Sequence, residues 1–510
     1  MIPINLGTPE QFAAVRDCLL SSGFTAPNIA ERAGARTIYE FQSLREGRTQ
    51  GRDLRDPLDV LIRVFMDAEM VEWRTIRTHL PEPAIAAFGA LGLLVTAVSA
   101  ATHAHATVLL YPTEGGWVIS DLNADPDRAS AEPSPPDVVY PAITRNTQRF
   151  MVSQSTAPCE HFLELCSGTG VAALRAARFA RRAWAVDITE RSTVFAEFNI
   201  RLNGLRNVTA LQGDLYEPVR GETFDRIVIH PPYVPARNNQ YVFRDGGEDG
   251  EAVTRRAIAG LPEFLRPGGR CYCTCLATDR KDAPLEQRVR TMLGDREGEF
   301  DILLVTTGEL DPLTYYAKKA VSRRGTFAEI GDWYDLFQRL EVTHLVHGTL
   351  VIERHRAPKT AVTARRQLGL DAGLVGTEDW LLTWESAVAS PGFEQRLLAG
   401  QPWASARAEV SVSLRAGDGT PWAPVKATLR TDWPFATVVE APPVAAALVS
   451  RCDGRLSVAD HLARFREEGA LPSETTDDQF LRLVQVLISA GVLGLDEFAH
   501  PRIPVPPSVA

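Results

Sequence analysis

The chain has 510 residues, too many for one ordinary core, so about two to four domains are expected. Its 45% apolar and 23% charged residues are those of a globular protein, and a net charge of −10 with a pI near 5.6 argues against broad adhesion to nucleic acid, though not against a local basic face. Seven cysteines in so long a chain lack the density of a disulfide scaffold.

The opening MIPINLGTPEQF has no basic region followed by an apolar one, so no signal peptide is expected and the chain reads as cytoplasmic. Residues 1–55 read as a helical segment: PEQFAAVRDCLLSSGF has helical spacing and Gly23 stops it. TAPNIAERAG is a second short helix, and RTQGRDLRD a charged linker. Residues 56–122 read as a winged-helix-like domain. A helix starts at Asp56-Pro57, two short helices follow in THLPEPAIAAFGALGLL, and HATVLLYP and GWVISDL flank TEGG as a hairpin. Such a unit reads duplex nucleic acid or serves as a packing module; its helices carry no Arg/Lys run. Ala84–Ala101 is near membrane-span length, but its glycines and the prolines before it predict short packed helices and no membrane role. Residues 123–150 form a Pro/Asp/Ser-rich linker, then a segment able to lie over a substrate mouth.

From 151 to 355, HFLEL, RAWAV, VTALQ, DRIVI, RCYCTCL, DILLVTT and VTHLVHGTLVIER read as strands, alternating with helices at 169–180, 190–203, 250–265 and 283–294. The alternation predicts an α/β fold with a parallel, doubly wound sheet. Residues 356–498 read as a C-terminal α+β domain, with a hairpin around a DG turn and helices over 440–498 capped at Ser457 and at Thr475 or Thr476. Residues 499–510 are a Pro-rich tail.

The candidate chemistry lies in FLELCSGTG, AWAVDITE, TALQGDLYEP and FDRIVIHPPYVP. Gly168 and Gly170 follow a strand and open a helix, where the backbone turns sharply and meets a ligand closely. Glu164 at the strand end repels phosphate and suits a ligand with cationic groups, which favours S-adenosylmethionine over a dinucleotide. Asp187 ends the next strand, near the offset of a ribose-binding acid, and Asp214 after the third is placed to accept from an adenine amino group. The fourth strand ends in His230-Pro231-Pro232-Tyr233; paired prolines cannot extend a central strand and make a stiff turn, which with Tyr233 clamps a planar group.

Together these pieces resemble a class I S-adenosylmethionine-dependent methyltransferase of the small methyltransferase group, which includes HemK-like glutamine N5-methyltransferases and ribosomal RNA guanine N2-methyltransferases. The resemblance spans about 150–355 and includes GDLYEP, the (N/D/S)PPY position, FRDGGEDGE and ERSTVFAEFNIRLNG. It implies a Rossmann-like seven-stranded core. It places Glu164, Gly168, Thr169, Gly170, Asp187, Ile188, Asp214, Leu215 and His230 at the cofactor, and His230, Pro231 and Tyr233 at the reaction. PPVAAALVSRC to LISAGVLGL is similar to PqqD-like winged-helix modules, some of which bind peptides.

Two residues depart from the family. Cys166 replaces the first loop glycine, and is compatible with the loop if its φ is negative. His230 replaces the usual Asn or Asp before PPY; in the family, that Asn and the following proline carbonyl hold the target nitrogen. Imidazole cannot bind an amide bidentately but can act as a base.

Elsewhere, Cys271, Cys273 and Cys275 alternate on one strand face and read as buried small side chains; His103 and His105 likewise share a face, and no metal is expected. Asp311, Tyr315 and Tyr316 line a mouth or close a sheet edge. Lys318, Lys319, Arg323 and Arg324 are a solvated face or contact RNA phosphate. The expected activity is N-methylation of an RNA base or protein side-chain amide. The alternatives are a small metabolite or peptide acceptor with His230 as base, or a non-catalytic binding module.

Overall fold

The computed structural model describes residues 2–41, 54–122, 135–236, 241–315, 317, 327–368, 375–416 and 421–498. Two compact units form: Met1–Met151 with Thr156–Ala277, and Val152–Ser155 with Thr278–Ala510.

In the first unit, α1 (Pro9–Ser21) starts in a capping box between Thr8 and Gln11. Its apolar side buries Phe12, Val15, Cys18 and Leu19. α2 (Ala26–Ala33) is capped by Thr25. α3 (Pro57–Leu61) is capped by Asp56 and runs into a π turn at Ile62–Met66. β1 (Val71–Glu72), α4 (Trp73–His79), α5 (Glu82–Ala90), β2 (Leu94–Thr96) and β3 (His103–Ala106) follow, and β3 lies between β1 and β2. The apolar stretch from Ala84 therefore splits into helix and strand. The break is Gly92, at φ +77, where a Cβ would sit 2.5 Å from the Pro3 carbonyl. Among the described residues no helix is long and apolar enough to cross a membrane.

β4 (Val108–Thr113) and β5 (Gly116–Asp121) form the expected hairpin, but it is not a free wing. It lies on the parallel-sheet core of its own unit, held by side chains described below. α6 (Arg145–Val152) then leads into that core. β6 (Cys159–Leu165), β7 (Ala180–Asp187), β8 (Val208–Gln212), β9 (Phe224–Ile229) and β10 (Leu265–Arg280) are paired in the order β8-β7-β6-β9-β10, all parallel. α7 (Val171–Ala176) follows β6 and α8 (Glu190–Leu202) follows β7, which gives an α/β Rossmann-like core. α9 (Ala252–Ala259) and α10 (Leu261–Phe264) precede β10. Cys271, Cys273 and Cys275 are buried free thiols on β10.

In the second unit, α11 (Leu285–Met292) and β11 (Phe300–Leu310) precede α12 (Phe327–Arg339) and β12 (Val342–Arg354). β12 runs antiparallel to β11, which corrects the expectation of a wholly parallel sheet. Alternating strands and helices do not encode direction; here a long ladder from Phe300↔Arg354 to Leu310↔Leu345 sets it. β13 (Thr363–Gln367) is parallel to β11 and was missed, because TARRQ has no apolar alternation. α13 (Thr377–Val388), α14 (Phe393–Ala399) and the short pair β14 (Trp403–Ala404) with β18 (Leu493–Gly494) follow. A three-stranded antiparallel sheet is ordered β15 (Glu409–Arg415), β16 (Ala423–Thr431), β17 (Thr437–Ala441). α15 (Val444–Arg451), α16 (Val458–Glu467) and α17 (Asp477–Ser489) complete the unit. Ser457 and Thr476, not Thr475, are the caps.

Candidate active site

The loop from Cys166 to Gly170 joins β6 to α7. Cys166, Gly168 and Gly170 have φ of +55°, +51° and +74°. The condition of a negative φ at Cys166 is not met: the position is left-handed, and a side chain there is strained by about 1–2 kcal/mol. Gly170 has a second requirement, since a Cβ would approach Ala196 Cβ to 3.2 Å. A Cβ on Gly168 would meet nothing within 4 Å, so its backbone faces open space.

Glu164 is buried, and both its oxygens are used. Oε1 accepts from the Ala172 N–H at 3.2 Å and Oε2 from the Ala173 N–H at 2.7 Å. The carboxylate thus occupies the helix N-terminus where a pyrophosphate would bind, and so excludes it. Burial pushes its pKa up to about 8, against the pull of those two amides.

Asp187 ties the loop to the end of β7. Oδ2 accepts from the Gly168 N–H at 2.8 Å; Oδ1 accepts from the Thr189 N–H at 3.1 Å and its hydroxyl at 3.2 Å. Burial raises the pKa of Asp187, opposed by those amides. The Ser192 side chain also hydrogen-bonds to this carboxylate, so a ribose hydroxyl would join a set of protein donors. Next to it Ile188 is 53% exposed, an apolar surface without protein cover. Asp214 is also near solvent, but its Oδ2 accepts from Arg256 Nη2 at 2.6 Å, so an adenine amino group would share it with a guanidinium. Leu215 is buried with φ +49°, and Thr169 is buried in the loop.

After β9 the paired prolines turn the chain, and His230 sits among aromatic rings. Its centroid is 5.1 Å from Phe150 on α6 and 5.9 Å from Tyr233, with its plane nearly parallel to that of the latter at 21°. Asn146 Nδ2 donates to the Tyr233 hydroxyl at 3.3 Å. FRDGGEDGE wraps this turn. Val234 N–H donates to the Arg244 carbonyl at 2.9 Å and Gly246 N–H to the Val234 carbonyl at 2.8 Å. A Cβ on Gly246 would lie 2.6 Å from the Pro232 carbonyl, and one on Gly250 2.5 Å from the Tyr233 carbonyl. Those glycines are there because the PPY backbone passes too close for a side chain. Tyr140 stacks on Phe243 at 5.3 Å, closing the segment before α6 onto the same loop.

Phe150, Asn146, Arg256 and Asn199 were not singled out from the sequence. Asn199 and the C-cap residue Asn203 are spaced one helical turn apart in line with Phe195 and Ala196 of α8, which was the available signal. Of the other candidates, His105 is buried with Nδ1 against the Ala106 carbonyl, and Asp311 caps a short turn through the Thr314 N–H at 2.7 Å. Tyr316, Lys318, Lys319, Arg323 and Arg324 lie outside the described residues, as do the 123–134 linker and the 499–510 tail. Among the described residues no group of three metal-ligating side chains forms.

A left-handed loop, an acid at the end of β7 and a proline turn after β9 thus stand at the ends of neighbouring parallel strands. Residues 145–302 match the methyltransferase small domain. The chain is 34% identical over 149 residues to a release factor glutamine methyltransferase of Moorella thermoacetica, covering 26% of the chain and 53% of that relative. It is 31% identical over 166 residues to a ribosomal protein uL3 glutamine methyltransferase of Bradyrhizobium diazoefficiens, covering 30% and 52%. A release factor glutamine methyltransferase of Geobacter sulfurreducens is 31% identical over 150 residues, covering 26% and 52%. The chain spans about half the length of these relatives.

Proposed function

We propose that the chain is an S-adenosylmethionine-dependent methyltransferase whose acceptor is a protein side-chain amide nitrogen. The observation that carries this reading is the proline turn at His230–Tyr233, wrapped by the glycine loop and set after β9 of the sheet that bears Asp187. The relatives' names, which specify glutamine, support the amide, and a protein acceptor of that kind agrees with a cytoplasmic enzyme.

The residues present fit the donor. Asp187 offers its carboxylate to a ribose hydroxyl, Ile188 an apolar face to adenine, and Asp214 a half-exposed carboxylate to its amino edge. Glu164 keeps the helix N-terminus from attracting phosphate. When bound, the donor supplies an electrophilic methyl on sulfonium sulfur. The chain's own part is alignment. The Pro231 carbonyl accepts from the acceptor N–H, the Tyr233 ring covers one face of the amide, and a ring nitrogen of His230 takes the proton that the nitrogen loses. Such alignment is worth about 7–11 kcal/mol in favourable systems.

A second reading has a small metabolite or peptide as acceptor, and it rests on His230 itself. One imidazole nitrogen cannot hold both the N–H and the carbonyl of a primary amide. A transfer assay with labelled methyl donor, against glutamine-containing peptides, total RNA and a metabolite extract, separates the readings. Label in glutamine supports the first. Label only in RNA or small molecules overturns it.

A further inference from the structure

β15 is an edge strand, and all seven of its residues, Glu409–Arg415, are exposed. It pairs with β16 on one side; on the other no strand lies against it among the described residues. Edge strands in soluble proteins are commonly blunted by lysine or proline in mid-strand. The middle of this one is Val-Ser-Val-Ser-Leu, with Val410, Val412 and Leu414 exposed by 41%, 44% and 54% on one face.

The residue classes are arranged symmetrically about Val412: serine on each side, then an aliphatic residue, then a charge of opposite sign at each end. In an antiparallel pair of two such strands centred there, Glu409 faces Arg415 of the other copy, Val410 faces Leu414, Ser411 faces Ser413, and Val412 faces itself. A two-fold axis repeats each contact, so two Glu–Arg pairs flank a run of apolar and hydroxyl pairs. Ala408 and Ala416, just beyond, also fall opposite one another. Shifting the centre by one residue in either direction sets Glu409 against a serine or leaves it unopposed. Charge therefore selects a single register.

We propose that β15 is a homodimer interface, in which two copies of this chain join their three-stranded sheets into one of six strands. The occupant is a second copy because the strand is complementary to itself in charge, in apolar face and in small flanking residues. One strand pair buries less surface than a standard stable interface, so the dimer is reversible and depends on concentration.

Sedimentation velocity of the full chain across a concentration series is the test, with Glu409→Arg and Arg415→Glu. Each variant places like charges in both symmetric contacts and is expected to weaken dimerisation about tenfold. An equimolar mixture of the two variants restores every opposite-charge pair and is expected to dimerise like the wild type. Glu409 also lies opposite Arg430 on β16, so Glu409→Arg disturbs its own sheet. The mixture settles that point, since the variant chain carries the same disturbance there. A wild type that stays monomeric overturns the proposal. So does a dimer that both variants retain, or a mixture that stays as weak as the variants alone.

Discussion

Asn199 hydrogen-bonds to both backbone groups of Ile119. Its Oδ1 accepts from the Ile119 N–H at 2.8 Å, and its Nδ2 donates to the Ile119 carbonyl at 3.3 Å and to the Thr169 carbonyl at 3.0 Å. One turn on, Asn203 does the same to Trp117, at 2.9 Å and 2.7 Å. Two amides on a helix thus finish the edge of β5 as a neighbouring strand would. One of them also fixes the loop on which the cofactor would rest. Beside them Arg191 forms a bidentate pair with buried Asp121, at 2.8 Å and 2.5 Å. The hairpin expected to be a wing is thus part of the scaffold of the site.

Asn199→Leu leaves three buried backbone groups without a partner. The expected cost is at least about 2 kcal/mol, since each such group carries a desolvation penalty. Thermal unfolding of the full chain checks it. Asn203→Leu is expected to be destabilising too, but to leave S-adenosylhomocysteine affinity nearer the wild type, because only Asn199 touches the loop.

Asp187→Ala removes the proposed ribose acceptor and releases the Gly168 N–H. Affinity for S-adenosylhomocysteine is expected to fall by about tenfold or more. Isothermal titration calorimetry reads this directly, and an unchanged dissociation constant would remove Asp187 from the cofactor site.

His230→Ala is expected to retain that affinity and lose turnover. His230→Asn is the sharper variant. An asparagine can face an amide with a donor and an acceptor at once, so labelling of glutamine peptides should rise above the alanine variant. If both variants match the wild type in kcat, the imidazole has no part in the transfer.

Glu164 contributes a pH dependence to stability. Its folded pKa is raised from 4.5 to about 8, with burial the largest cause. Between those values the folded state holds the proton and the unfolded state does not, so this group's contribution is full below the lower value. It declines as pH rises through the window, by at most about 1.4 kcal/mol per pH unit. Urea midpoints at about pH 5.5 and about pH 7.5 measure the slope, and Glu164→Gln is expected to flatten it.

Cys166 tests the loop conformation. Glycine is at ease at φ +55°, and a β-branched residue is not. Cys166→Gly should fold and bind S-adenosylhomocysteine at least as well as the wild type. Cys166→Val should lose about 1–2 kcal/mol of stability and weaken binding. Equal behaviour of the two would mean the loop is not held left-handed.

The sequence by itself determined most strands and helices of the core and which residues stand at the strand ends. Strand ends on a parallel sheet lie side by side, so Glu164, Asp187, Asp214 and His230 could be assigned to one region from their places after apolar runs. The helix caps at Thr8, Ser457 and Thr476 are local contacts between residues three apart, and local pattern encodes them. Tertiary structure decided what depends on approach between distant segments. It put the Glu164 oxygens on the amides of α7, turned Cys166 left-handed and set Phe150 against His230. It gave Asp214 to Arg256 and closed the β5 edge with Asn199. It also set β12 antiparallel to β11. None of these leaves a period in the sequence. Each follows from which backbone groups remain unpaired once the sheet has formed, and from which side chain is then near enough to bond them.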